Sequence, residues 1–399
     1  MKLSVFTPLP PTPSGIADYS ALLLEELQKR QWDVTAVAPA GASPQPFPVV
    51  TPETFDGGGR TLYQVGNSSH HDFLYPAFFD APGVLVLHDL VLHHARLSSY
   101  LMSEDVSAYR RDMGNRAKRE KARVALDAYR REVASAYPED GAAISAIAIR
   151  MGGGRLLYSF PLYEHLARRS ALTIVHSESA RAEILERCPE TSVMRVRMGI
   201  PAPAPVSREQ ARKKLDLPDK LLLASFGLIT PEKRIRSVLQ ALARLRGQGV
   251  DAHYVLVGGQ TDHYDVRAEA ASIGVGDQVH FAGRVSEEMF SLYAFAADIC
   301  LNLRYPSAGE TSATLLRLLA CGRPVLVTDQ VHSGDFPSDV VALTSLDGDE
   351  DGLYCDLVDL IRAEPRRRTL ERESRAFVLR EHSIEAMADD YAAALATAV

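Results

Sequence analysis

Most features that would assign this sequence quickly are missing from it. Only four cysteines occur in 399 residues, Cys188, Cys300, Cys321 and Cys355, and none forms a CxxC pair. Zinc ribbons and redox dithiols are therefore not indicated. Cys300 and Cys321 lie in apolar runs and read as packing residues. No stretch reaches the roughly 20 apolar residues needed to span a bilayer. The opening MKLSVFTPLPP has no basic segment followed by an apolar one, so no signal peptide is read there. Low-complexity tracts, short internal repeats and an HExxH pair are also lacking. Positive charge is not in excess: the formal net charge is −7, which gives the surface as a whole no electrostatic reason to bind nucleic acid. Any anionic ligand has to meet a local basic site. The cysteine usage leads us to expect a cytoplasmic protein.

What is present is an ordinary globular composition, 46% apolar and 24% charged, in a chain long enough for two domains. Short apolar runs alternate with longer amphipathic segments, the pattern of βαβ units around a parallel sheet. Strands are expected at Lys2–Thr7, Asp33–Ala38, Thr61–Val65, Val84–Leu87, Leu172–Val175 and Val193–Met198. Pro201–Pro205 (PAPAP) suits neither helix nor central strand and reads as a linker. The same rhythm then restarts, with strands at Leu221–Ser225, Tyr254–Val257, Val279–Phe281, Ile299–Leu303, Pro324–Thr328 and Val340–Leu343. Between Leu90 and about Arg150 the pattern is helical and rich in charge.

In an open parallel sheet, ligands collect at the carboxyl ends of strands. Helix amino termini there present unpaired N–H groups and partial positive charge. Three strand-to-helix junctions stand out. The first is Pro13-Ser14-Gly15-Ile16-Ala17-Asp18-Tyr19, where Gly15 permits close approach of a ligand or simply makes a tight turn. The second runs from Gly227 to Arg234. Its adjacent cations Lys233 and Arg234 oppose the helix dipole unless an anion sits between them; a solvated pair is the plain alternative. The third is Arg304-Tyr305-Pro306-Ser307-Ala308-Gly309-Glu310-Thr311-Ser312, where Thr311 and Ser312 can cradle a phosphate and Glu310 either caps the helix or binds a sugar hydroxyl. His88 directly follows a buried strand, at a carboxyl end.

At these residues the chain resembles glycosyltransferase family 4, retaining enzymes of the GT-B fold, with a bacterial subgroup suggested by VLVLHDLVLHH (Val84–His94). Pro306–Asp329 (PSAGETSATLLRLLACGRPVLVTD) is similar to the donor-binding signature. Phe226–Arg234 (FGLITPEKR) resembles the diphosphate-binding turn. Val279–Ile299 resembles the nucleobase segment, and Pro13–Ser20 the glycine loop. Two positions depart from the pattern. Leu228 stands where an arginine is common, with Arg234 or Arg304 as candidate substitutes. Arg317 stands where a ribose-binding glutamate is usual, and an arginine cannot accept hydrogen bonds from hydroxyls.

The resemblance implies two facing Rossmann-like domains around a central cleft. Residues 1–200 would form the acceptor-side domain and 201–380 the nucleotide-sugar domain, with 381–399 a helix crossing back. It implies transfer of a sugar from a UDP- or GDP-linked donor to a saccharide or lipid-linked acceptor, in cell-surface polysaccharide or glycoconjugate synthesis. Lys233 would neutralise the diphosphate, with Gly227, Arg234, Arg304, Gly309, Thr311 and Ser312 around it. Arg284 and Val285 would flank the base. Gly15 would lie under the diphosphate, His88 would line the sugar pocket, and Glu310 would face the donor sugar. His88, Lys233 and Glu310 are thus the catalytic candidates. No cofactor or metal is expected; Asp347-Gly348-Asp349 reads as a solvated acidic loop or helix start. The locally basic segment 109–132 is a candidate for peripheral contact with the cytoplasmic membrane face, against the plain reading of a solvated helical face. Two alternatives stay open: a nucleotide-sugar epimerase or hydrolase of the same fold, and a degenerate donor-binding scaffold without catalysis.

Overall fold

The computed structural model describes residues 1–261, 264–346 and 349–398. The chain divides into two compact units. The first comprises Met1–Arg197, Ala308–Thr311 and Met387–Val399; the second comprises Met198–Ser307 and Ser312–Ala386. The first therefore ends three residues before the expected boundary, and the segment returning to it starts at Met387 rather than at 381.

The first unit is built on a parallel sheet of β1 (Lys2–Phe6), β2 (Asp33–Val37), β3 (Val49–Val50), β4 (Arg60–Val65), β5 (Val84–Leu87), β6 (Leu172–Val175) and β7 (Val193–Arg195). Their order is β3-β2-β1-β4-β5-β6-β7. All four residues of β5 and of β6 are buried. Sheets covered on both faces select such continuous apolar runs. The core here includes Phe6, Tyr63, Phe78 and Leu85.

The second unit repeats the plan with β8 (Leu221–Phe226), β9 (Ala252–Val257), β10 (Val279–Gly283), β11 (Ile299–Asn302), β12 (Val325–Thr328) and β13 (Ala342–Thr344), ordered β10-β9-β8-β11-β12-β13. The helix Ile235–Gly247 covers one face with Val238, Leu239, Leu242 and Leu245, all buried. In each sheet the strand order reverses once, between β1 and β4 and between β8 and β11. Such switch points open a crevice at the carboxyl ends. The three junctions singled out above follow β1, β8 and β11.

The charged stretch after Leu90 folds into helices, among them His93–Leu101, Glu104–Arg111, Arg116–Ala136 and Gly141–Met151. A buried ion pair ties them to their surroundings. Arg96 donates to both carboxylate oxygens of Glu132 at 2.8 Å, and also to Asp72 at 3.0 Å. The Arg96 guanidinium lies 3.8 Å from the ring centroid of Tyr75.

Local physics moves two expected helix edges. The helix after the third junction spans Ala313–Ala320, because the Ser312 side chain caps it by accepting from the Leu315 N–H at 3.2 Å. Glu310 is therefore not the cap. The last helix is Ile384–Thr397. Of the acidic tripeptide, Asp347 and Gly348 lie outside the described residues, and Asp349 opens the helix Asp349–Arg362. Among the described residues no helix is long and apolar enough to cross a membrane.

Candidate functional site

The second unit gathers most of the expected donor-binding residues at its switch point. β8 ends at Phe226, and Gly227 turns the chain with φ +85°, a conformation that favours glycine. Its N–H donates to Val257 O at 2.9 Å. Gly258 is held against it so closely that a β-carbon there would stand 2.0 Å from Gly227 O. Pro231–Lys233 forms a single 3-10 turn, and Arg234, at φ +54°, bends the chain into the helix Ile235–Gly247. Arg234 is itself buried.

This turn folds the Lys233 side chain back over Gly227, where its ammonium donates to the Phe226 carbonyl. Burial, then the neighbouring positive charge of Arg304, lowers the Lys233 pKa to about 7. Desolvation disfavours an ammonium and a like charge adds to the effect. Arg304 follows β11, with its N–H on Thr328 Oγ1 at 3.1 Å. Two residues before it, Asn302 Nδ2 donates to Ser312 Oγ at 3.0 Å, fixing the cap of the Ala313–Ala320 helix. Thr314 Oγ1 lies 3.8 Å from the position of a Gly227 β-carbon. Gly227, Lys233, Arg304 and Ser312 thus share one end of the sheet. Asn302 and Thr314 join them, and sequence reasoning missed both. Asn302 is the last residue of its strand, a signal that could have found it.

Other expected residues are placed differently. Ala308–Thr311 groups with the first unit, where Ala308 O accepts from the N–H of Leu90 at 2.7 Å and of Val91 at 3.1 Å. Gly309 has φ +73°, and a β-carbon there would stand 2.9 Å from the Leu90 side chain. Glu310 closes the loop by accepting from the Ala308 N–H at 2.9 Å. Arg284 is exposed and Val285 half-buried beyond the end of β10. Leu228 is 55% exposed. Arg317 spends its charge on Glu287, with its Nε 3.1 Å from the carboxylate, and its guanidinium lies 3.7 Å from the Phe290 ring centroid.

In the first unit, Gly15 is the first residue of the Gly15–Lys29 helix, capped by Ser14. A β-carbon at Gly15 would meet nothing within 4 Å, so internal packing does not require the glycine. His88 behaves otherwise than expected of a pocket-lining residue. It is 6% exposed, with Nε2 2.6 Å from Gln64 Oε1 and Nδ1 3.2 Å from His176 Nε2. Burial, with His176 and His71 nearby, drives its pKa well below the usual value. Both ring nitrogens are engaged inside the unit.

Comparison with known proteins bears on the fold. Residues 207–336 match the family model described as glycosyl transferases group 1. An alpha-D-kanosaminyltransferase of Streptomyces kanamyceticus is 23% identical over 173 residues, which cover 41% of this chain and 44% of that protein, less than half its length. Among solved structures, sucrose-phosphate synthase of Thermosynechococcus elongatus is similar with a TM-score of 0.67 at 15% identity, covering 99% of this chain and 98% of the other. Anabaena HepE in complex with UDP-glucose gives 0.64 at 14% identity over the full length of both chains. WaaG, a glycosyltransferase involved in lipopolysaccharide biosynthesis, gives 0.62 at 15%, again over both full lengths. These likenesses show the fold: two parallel-sheet α/β domains of the GT-B class.

Proposed function

We propose that this protein is a retaining glycosyltransferase that takes a sugar from a UDP- or GDP-linked donor, whose diphosphate sits in the second unit. One observation carries the reading. A half-buried lysine, Lys233, lies beside Arg304 and over a glycine at the switch point of a parallel sheet, close to a capped helix amino terminus. Two like charges brought together at the carboxyl edge of a sheet cost free energy that an anionic ligand offsets.

Sugar transfer leaves a nucleoside diphosphate, so negative charge grows on the leaving group as the glycosidic bond breaks. Preorganised cations and helix N–H groups stabilise that charge without reorganising. In this reading Lys233 and Arg304 face the phosphates, with the Ser312 cap and Thr314 beside them. Glu310 accepts from a hydroxyl of the donor sugar, and Arg284 and Val285 flank the base. Reaction on the front face, with a leaving phosphate oxygen taking the acceptor proton, gives retention. No metal is assigned a part.

The acceptor is a saccharide or a lipid-linked saccharide, in cell-surface polysaccharide or glycoconjugate assembly. The exposed side chains of Met102, Met113, Val124, Ile147 and Met151 lie in the same helical segment as Arg110, Arg111, Arg116, Arg119, Lys121 and Arg123, also exposed. Apolar tips among cations suit an anionic membrane surface, which supports peripheral attachment at the cytoplasmic face.

The test is a thermal-shift panel of UDP-, GDP-, ADP- and dTDP-sugars followed by product analysis with candidate acceptors. A ligand that binds only the folded state raises its melting temperature. One clear stabiliser, consumed only when acceptor is present, is the expected result. Donor consumption without acceptor would point to an epimerase or hydrolase, and no shift with any donor would overturn the reading in favour of a scaffold.

A further inference from the structure

The buried groups around His88 pose a problem of donors and acceptors. His176 Nδ1 lies 2.9 Å from the Val196 carbonyl, which can only accept, so this nitrogen carries a proton. A neutral His176 then has its lone pair on Nε2, which faces His88 Nδ1 at 3.2 Å. His88 Nδ1 must donate, which leaves the lone pair of a neutral His88 on Nε2. That lone pair points at Gln64 Oε1, 2.6 Å away, and two acceptors face each other. The same amide leaves Gln64 Nε2 buried with no partner at hydrogen-bond distance, although the amide adjoins the Tyr391 hydroxyl.

One half-turn of the amide resolves both faults. Oxygen and nitrogen occupy nearly the same volume, so hydrogen-bond complementarity decides their order. With the amide reversed, Gln64 Nε2 donates to His88 Nε2. Gln64 Oε1 then turns toward the hydroxyl of Tyr391, which the amide already adjoins, and accepts from it. Tyr391 in turn accepts from the Tyr19 hydroxyl at 2.8 Å. The alternative, an imidazolium at His88 or His176, places a charge among side chains with at most 8% exposure, with His71 close by. A buried, uncompensated charge is the costlier solution.

We propose that His88 is a neutral imidazole protonated on Nδ1, in a continuous relay from Val196 through His176, His88 and Gln64 to Tyr391 and Tyr19. His88 and Gln64 are then positioning residues. They join the carboxyl ends of β4 and β5 to the Ile384–Thr397 helix within the first unit, and neither ring nitrogen of His88 is left for a substrate. Tyr19 closes the relay sideways, with its ring edge-on to both imidazoles at centroid distances of 4.9 and 5.5 Å.

Long-range proton–nitrogen NMR correlations on the full chain labelled with 15N-histidine test this at neutral pH. The expected spectrum shows His88 neutral with its proton on Nδ1, unchanged when UDP-glucose or GDP-mannose is added. A proton on Nε2, an imidazolium, or a tautomer change on adding a nucleotide sugar that binds would overturn the proposal. This readout does not depend on sugar transfer. Gln64→Glu offers a second check, since a carboxylate only accepts and should draw a proton onto His88 Nε2, raising its titration. A titration like that of the parent would sink the relay. If Gln64→Glu does not fold, Tyr391→Phe keeps the ring and removes the hydroxyl. The Gln64 side-chain amide resonances should then shift, and unchanged resonances would count against the arrangement.

Discussion

Lys233 Nζ rests over the α-carbon of Gly227, 2.7 Å from where a β-carbon would stand. The glycine gives the ammonium its place, and burial beside Arg304 lowers that ammonium's pKa to about 7. An anion at the site pulls the pKa back up. Above neutrality, donor binding must therefore take up a proton. Affinity for a nucleotide sugar, whose diphosphate does not titrate in this range, should weaken as pH rises from about 7 to about 9. Calorimetry in buffers of different ionisation enthalpy measures the uptake, and Lys233→Met should abolish it.

The same lysine sets a conflict between stability and binding. Its pKa falls from 10.5 in the unfolded chain to about 7 when folded. Between these values the unfolded state binds more protons, so stability rises with pH across that window. The penalty is fully present below the folded value. Lys233→Met should therefore melt higher than the parent at pH 7 without ligand, and bind nucleoside diphosphate about tenfold to a hundredfold more weakly. A variant that binds like the parent would remove Lys233 from the phosphate site.

Gly258→Ala tests the backbone contact under the site. The new β-carbon would fall 2.0 Å from Gly227 O and 2.5 Å from its carbonyl carbon, and neither backbone atom can rotate away. A destabilisation of about 1–3 kcal/mol or more is expected, with donor affinity lost alongside. Denaturant unfolding with and without nucleotide sugar separates the two effects.

Ser312→Ala removes the cap of the Ala313–Ala320 helix and the partner of Asn302. The expected cost is about 1 kcal/mol in stability, together with weaker donor binding. Ser312→Asp keeps a capping oxygen but brings a negative charge to the anion site. It should hold the stability and lose the binding, a split that a purely structural serine would not show.

Glu132→Ala leaves Arg96 buried beside Asp72, with side-chain exposures of 8% and 34% respectively. Removing one partner of a buried pair costs about 3–5 kcal/mol. Chemical denaturation should show that loss, and Glu132→Gln should recover only part of it. A cost near that of a surface substitution would mean that Asp72 alone satisfies Arg96.

The architecture was legible in the residues alone. Runs such as VLVL at Val84–Leu87 and LTIV at Leu172–Val175 are short, rich in β-branched residues and largely apolar, as strands covered on both faces are, and their alternation with amphipathic segments implies parallel sheets. Gly227 and Lys233 were legible because a glycine after a strand and a cation before a helix are local signals. Val49–Val50 was missed, since two residues carry no period. The cap at Ser312 rather than Glu310 was decided by which oxygen reaches the Leu315 N–H. His88 looked like a ligand contact because strand ends carry ligands. Only tertiary structure could show its nitrogens already taken, by Gln64 and His176, 24 and 88 residues away along the chain. Periodicity fixes which way a side chain faces, but partners brought from distant strands are set by the folded sheet, and they decide whether a polar atom remains available.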